Sequence, residues 1–123
     1  MDTVLLVDDD DDIRTIGRIA LQDVGGFRTL VASGGKEALA VACADVPDVV
    51  LLDVMMPGMD GPATLQALRN APETAHVPVI FLTAKVQRPE VERYLALGAL
   101  GVLPKPFDPM TLHEEVRRLL ATL

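Results

Sequence analysis

Five short apolar runs punctuate the chain: TVLLV at 3–7, FRTLVA at 27–32, DVVLL at 48–52, VPVIFL at 77–82 and GVL at 101–103. Three of them lack the alternation of a sheet with one wet face. Near-continuous apolar strands are covered on both sides, which predicts a parallel sheet. Between the runs the apolar spacing changes to three and four. Ile13, Ile16, Gly17, Ala20, Leu21 and Val24 predict a first helix, stopped by Gly25-Gly26. Further helices are predicted over 35–44, 61–70 and 88–97, the last of these ended by Gly98. A fifth is predicted to start near Pro109, with Asp108 as its N-cap and Leu112, Val116, Leu119 and Leu120 turned inward. Strand and helix thus alternate five times. Parallel strands need crossovers, and right-handed helical crossovers cover both faces. The expected fold is α/β, a single (βα)5 doubly wound parallel sheet.

Composition narrows the function. The chain has 123 residues, half of them hydrophobic, and a mean hydropathy of +0.31, so it is expected to form one folded domain over 1–123 with a substantial core. No linker, repeat or effector region is apparent in that reading. The net charge of -7 and pI near 4.6 argue against direct contact with nucleic acid or an anionic membrane. The apolar runs are too short to span a bilayer. The single cysteine, Cys43, lies in the helical stretch ALAVACA and reads as a small buried thiol. These features point to a reducing cytoplasm.

In open α/β sheets, sites form beyond the carboxyl ends of the strands. The first strand is followed by Asp8 and Asp9, the third by Asp53, the fourth by Thr83 and Ala84, and the fifth by Lys105 and Pro106. Three carboxylates, a hydroxyl and an ammonium therefore leave the sheet at one edge. Each carboxylate pair at 4 Å costs about 4 kcal/mol at an effective dielectric near 20. A hard divalent cation with oxygen ligands offsets that repulsion, and Mg²⁺ is the natural choice. Lys105 offsets part of the rest. A mobile ammonium and a hydroxyl suit a phosphoryl group, and a carboxylate can itself be the nucleophile that accepts one.

The motifs VDDD, LLDVMMPGMDG, FLTA and LPKPF, in this order and spacing, resemble those of the receiver domains of two-component response regulators. The resemblance covers nearly the whole chain. It implies the strand order 2-1-3-4-5, flavodoxin-like. It implies Asp53 as phosphoacceptor, and Asp8, Asp9, Asp53 and the backbone carbonyl of Met55 as Mg²⁺ ligands. Thr83 is then expected to contact the phosphoryl oxygens, and Lys105 to pair first with Asp53 and then with the phosphoryl group. The Lys105-Pro106 bond is expected to be cis. The implied partners are a histidine kinase or phosphotransfer protein, and a downstream protein or second copy on the face of the fourth helix, fifth strand and fifth helix. That face is expected to carry Arg88, Glu92, Arg93, Glu115 and Arg117. Such a domain is not an enzyme in the ordinary sense, since it catalyses only its own phosphorylation and dephosphorylation.

Several residues read more plainly. Asp10, Asp11 and Asp12 open the first helix, with Asp11 and Asp12 as its capping acids. Asp60 is a cap or turn residue, Pro57-Gly58 a turn, and His76 and His113 isolated surface or partly packed histidines. Lys85 and Met55 border the pocket. Those two positions are one departure from the common pattern; the other is that many receivers carry an aromatic residue three positions before the lysine, where this chain has Val102. Two rival readings are a phosphohydrolase similar to haloacid dehalogenases, built on Asp8 and Asp10, and a flavodoxin-like flavin binder. A third is a degenerate receiver that only binds partners.

Overall fold

A computed structural model describes residues 2–123. Five strands form one sheet: β1 (Thr3–Val7), β2 (Arg28–Ala32), β3 (Val49–Asp53), β4 (Val79–Thr83) and β5 (Gly101–Pro104). All neighbours are parallel and the order is β2-β1-β3-β4-β5. Every residue of β1, β3 and β4 is buried, which is why their sequences show no alternation. The edge strand β2 does open to solvent along part of its length.

The helices are α1 (Asp11–Arg18, continued by a π-helical segment, Ile19–Val24), α2 (Gly35–Ala44), α3 (Gly61–Asn70), α4 (Arg88–Ala96) and α5 (Leu112–Leu120). They divide between the two faces. Ala20, Leu21, Leu112 and Val116 pack with Val4, Leu6, Leu51 and Leu82 on one side, so α1 and α5 share it. Ala38, Ala42, Leu65, Leu68 and Tyr94 pack with Leu5, Val7, Leu52 and Phe81 on the other, which belongs to α2, α3 and α4. Inward side chains of each strand alternate between the two cores, so a helix layer on each side is needed to cover them.

Four details depart from the sequence reading. The first helix changes to the wider π winding after Arg18. Each residue then advances by a smaller angle, so Val24 swings off the inward stripe and is exposed, as is Ile16 at the stripe's margin. The N-cap of α1 is Asp10, whose carboxylate accepts from the backbone N–H of Asp12 at 2.8 Å and of Ile13 at 3.2 Å. Asp11 and Asp12 are the first-turn acids and not the caps. The fifth helix begins at Leu112: Asp108 holds a preceding turn instead, accepting from Met110 N–H through its side chain and from Leu112 N–H through its carbonyl. Cys43 is half-buried, and desolvation followed by the Glu73 carboxylate raises its thiol pKa.

Arg117 also lies elsewhere than expected. Its guanidinium sits 4.0 Å from the Phe27 ring centroid, donates to the Gly25 carbonyl at 2.7 Å and pairs with Asp2 at 3.6 Å. It therefore ties α5 to the end of the π-helical segment and does not share a face with α4. His76 is exposed and His113 half-buried, as expected. Asp60 caps α3, accepting from Ala63 N–H at 2.9 Å. Among the described residues no helix is long and apolar enough to cross a membrane.

Candidate functional site

Register alone brings the site together. Val7 pairs with Leu52, so the next residues, Asp8 and Asp53, leave adjacent strands side by side. Asp53 pairs with Leu82 and Thr83 with Pro104, so Thr83 and Lys105 follow at the same edge. The ladder extends one bond further on each flank: Asp8 N–H donates to Ala32 O at 3.1 Å and Lys105 N–H to Thr83 O at 2.9 Å. The strand order reverses between β1 and β3, and that crevice is where doubly wound sheets bind ligands.

Asp8 and Asp53 are buried, Asp9 is exposed, and an oxygen from each lies within 4.8 Å of the others. Lys105 reaches in from β5, with Nζ 2.8 Å from Asp8 Oδ2 and 3.4 Å from Asp53 Oδ1. The same Asp53 oxygen accepts from Met55 N–H at 3.3 Å. Burial first, and the Asp8 charge second, push the Asp53 carboxyl above its ordinary pKa, while Lys105 pulls the other way. Burial draws the Lys105 ammonium down, but the bonds and charges of Asp8 and Asp53 outweigh it, so its pKa lies above the usual lysine value. One ammonium thus faces a surplus of carboxylate.

A cavity of about 270 Å³ is lined by Asp8, Asp9, Asp10, Asp53, Met55, Thr83, Ala84 and Lys105. The Lys105-Pro106 bond is cis. Thr83 Oγ1 accepts from Lys85 N–H at 3.0 Å. The Met55 side chain is 70% exposed. Asp10 also lines the cavity, but its Oδ1 caps α1, accepting from the Asp12 and Ile13 N–H groups.

Two supports were not foreseen from the sequence. Arg14 donates to the Asp8 carbonyl at 2.7 Å and also pairs with Asp11, fixing the turn that aims Asp8. A cation in a first helical turn sits at the unfavourable end of the dipole, and that was the available signal. Gly61 is the second: a Cβ there would lie 2.8 Å from the Asp53 carbonyl oxygen and 2.8 Å from Val54 Cα. Only glycine lets α3 start so close behind Asp53.

The family model of the response regulator receiver domain matches residues 4–117. The chain belongs to the response regulator receiver domain family. This receiver domain is 43% identical over 93 residues to response regulator PleD of Caulobacter vibrioides, covering 76% of this chain and 20% of that protein. It is 42% identical over 120 residues to transcriptional regulatory protein CpxR of Klebsiella pneumoniae, covering 98% of this chain and 50% of that one. The receiver domain therefore spans half or less of these curated relatives. Among solved structures it is similar to chemotaxis protein CheY4 of Vibrio cholerae, with a TM-score of 0.89 and 37% identity over 97% of this chain and 98% of that one. Receiver domains are signalling domains of two-component systems, not enzymes in the usual sense. The phosphohydrolase and flavin-binding readings fall away with that membership.

Proposed function

We propose that this receiver domain is a switch controlled by Mg²⁺-dependent phosphorylation of Asp53. The observation that carries the reading is the meeting of three carboxylates and one lysine in a single cavity whose wall includes a threonine. Three oxygen donors within 4.8 Å fit a small hard cation, and Asp8, Asp9, Asp53 and the Met55 carbonyl are the groups that would hold it. Bound there, Mg²⁺ supplies positive charge against the carboxylates and the incoming phosphoryl oxygens.

The remaining steps belong to the chain. Met55 N–H and Lys105 both engage Oδ1 of Asp53. Oδ2 accepts no hydrogen bond among the described residues, which leaves a lone pair for phosphorus. Attack by the carboxylate forms the acyl phosphate while the P–N bond of a phosphohistidine donor breaks, and the imidazole departs with that electron pair. Loose phosphoryl transfer needs positioning and charge more than covalent assistance. Thr83 Oγ1 then turns from Lys85 N–H to donate to a phosphoryl oxygen, and Lys105 pairs with the added charge. Donors are a histidine kinase or phosphotransfer protein. Residues 1–123 act as one receiver unit in the cytoplasm, without direct contact to nucleic acid or membrane. The output face is formed by α4, β5 and α5, with Arg88, Glu92, Arg93 and Glu115 exposed or half-buried on those helices.

Labelling with acetyl phosphate tests this. One acid-stable, base-labile phosphoryl group per chain is expected with Mg²⁺ and none after EDTA. Asp53→Asn should take up none, and equal labelling of that variant would sink the assignment.

A further inference from the structure

Behind the acidic cavity lies a second one, about 440 Å³, between the start of α3 and α4. Its lining includes Val54, Met55, Thr83, Lys85, Glu90 and Tyr94. Thr83 and Met55 line both cavities, so Thr83 is part of the wall between them. Its hydroxyl is held on neither Asp53 nor Asp8 but on Lys85 N–H.

Tyr94 is the large group on the far side. It is 2% exposed, and its ring packs 5.2 Å from the Phe81 ring at a tilt of 58°. Phe81 precedes Thr83 by two residues on β4, on the same face of the sheet. The phenol oxygen accepts from Arg93 at 3.2 Å, and the Arg93 guanidinium also lies 5.0 Å from the ring centroid. The β5 side chain packed against this cluster, Val102, is aliphatic. Glu90, one turn earlier on α4, has a shielded carboxylate oxygen with no hydrogen-bond partner among the described residues. An unpaired buried acceptor is costly, so the first turn of α4 gains by rearranging.

We propose that Tyr94 is the residue through which α4 senses the position of Thr83. The inference rests on the phosphorylation reading above. When Thr83 turns toward a phosphoryl oxygen, its side chain withdraws from the shared wall and the second cavity widens there. A void beside a packed ring forfeits dispersion contacts on that side. Tyr94 is the buried aromatic group lining that space, while Leu97 and Met55 there are exposed, and its ring follows Thr83 inward. The ring is rigid and anchored on α4, so the helix moves with it, and Arg93 at its tip is carried across the output face.

The chain provides its own probe, because it has one tyrosine and no tryptophan. Protein labelled with ¹³C-tyrosine and ¹⁵N is titrated with beryllofluoride, a phosphoryl mimic, in the presence of Mg²⁺. The amides of Thr83 and Ala84 report occupancy of the acidic cavity, and the tyrosine ring resonances report the relay. Both are expected to shift with the same midpoint. In Tyr94→Leu, which keeps apolar bulk, the pocket amides should still shift while the α4 amides beyond Lys85 lose most of theirs. Ring resonances that stay fixed while Thr83 and Ala84 respond would overturn the relay and leave the phosphorylation reading standing. So would full α4 shifts in Tyr94→Leu. If the pocket amides themselves do not respond, the phosphorylation reading fails and the relay fails with it.

Discussion

Asp53 sits in a place that disfavours its own charge. Burial and the Asp8 carboxylate hold its pKa above the ordinary value despite Lys105. The folded protein therefore binds a proton more tightly there than the unfolded chain does. That contribution to stability is present at low pH and is lost as pH rises through the raised pKa. In metal-free protein, Asp53→Asn removes the penalty and should be more stable at pH 7 by about 1 kcal/mol, or some 3–5 °C in Tm. The gain should shrink toward zero near pH 4. A constant gain at both pH values would mean that the charge of Asp53 is not the cause. Lys105 answers differently: Lys105→Ala leaves Asp8 and Asp53 buried without their cation, and should lose about 1–3 kcal/mol in metal-free protein at neutral pH. The placement of Asp53 and Lys105 at one sheet edge was legible in the sequence because each closely follows or ends a recognisable apolar strand. Arg14 was marked only by its unfavourable place in the first turn of α1, and its use depends on the turn at Asp8, which the local pattern does not show.

Helix starts carry the site, and two of them can be tested. Asp10 caps α1 two residues after Asp8, whose carboxylate in turn accepts from Asp10 N–H at 3.0 Å. Asp10→Ala should cost about 1 kcal/mol, while Asp12→Ala should cost only about 0.3–0.5 kcal/mol through the dipole, and Asp11→Ala slightly more through its exposed pairing with Arg14. Equal costs at all three would remove the distinction. Five consecutive aspartates offer the same capping chemistry at every step, so the sequence could not say which one caps. That choice depends on where the β1 ladder ends. The π winding after Arg18 was hidden for a similar reason, because spacings of three and four fit an ordinary helix. At α3, Gly61→Ala would push a methyl against the backbone of Asp53 and Val54. Differential scanning should show a loss of about 1–3 kcal/mol, together with weaker stabilisation by Mg²⁺.

For the molecule as a whole, the doubly covered sheet is a frame, and one edge of it holds the two buried carboxylates among the described residues, Asp8 and Asp53. The parallel order was readable from the apolar strands, and the pairing 2-1-3-4-5 from the motifs. The orientation of α5 was not: Arg117 turns toward Phe27 and Gly25 because the rotation of a helix about its axis is set by packing across the sheet. If the edge is a metal site, Mg²⁺ should stabilise the fold by mass action, by about 1.4 kcal/mol at ten times its Kd. Asp9→Ala, at an exposed ligand, should lower that response at little structural cost. The most direct measurement is chemical. Protein treated with acetyl phosphate is reduced with borohydride, which converts an aspartyl phosphate to homoserine, and is then mapped by peptide mass spectrometry. The account predicts homoserine at position 53 alone, formed with Mg²⁺ and absent without it. Homoserine at Asp8, Asp9 or another acid, or equal yield at position 53 after EDTA, would contradict it.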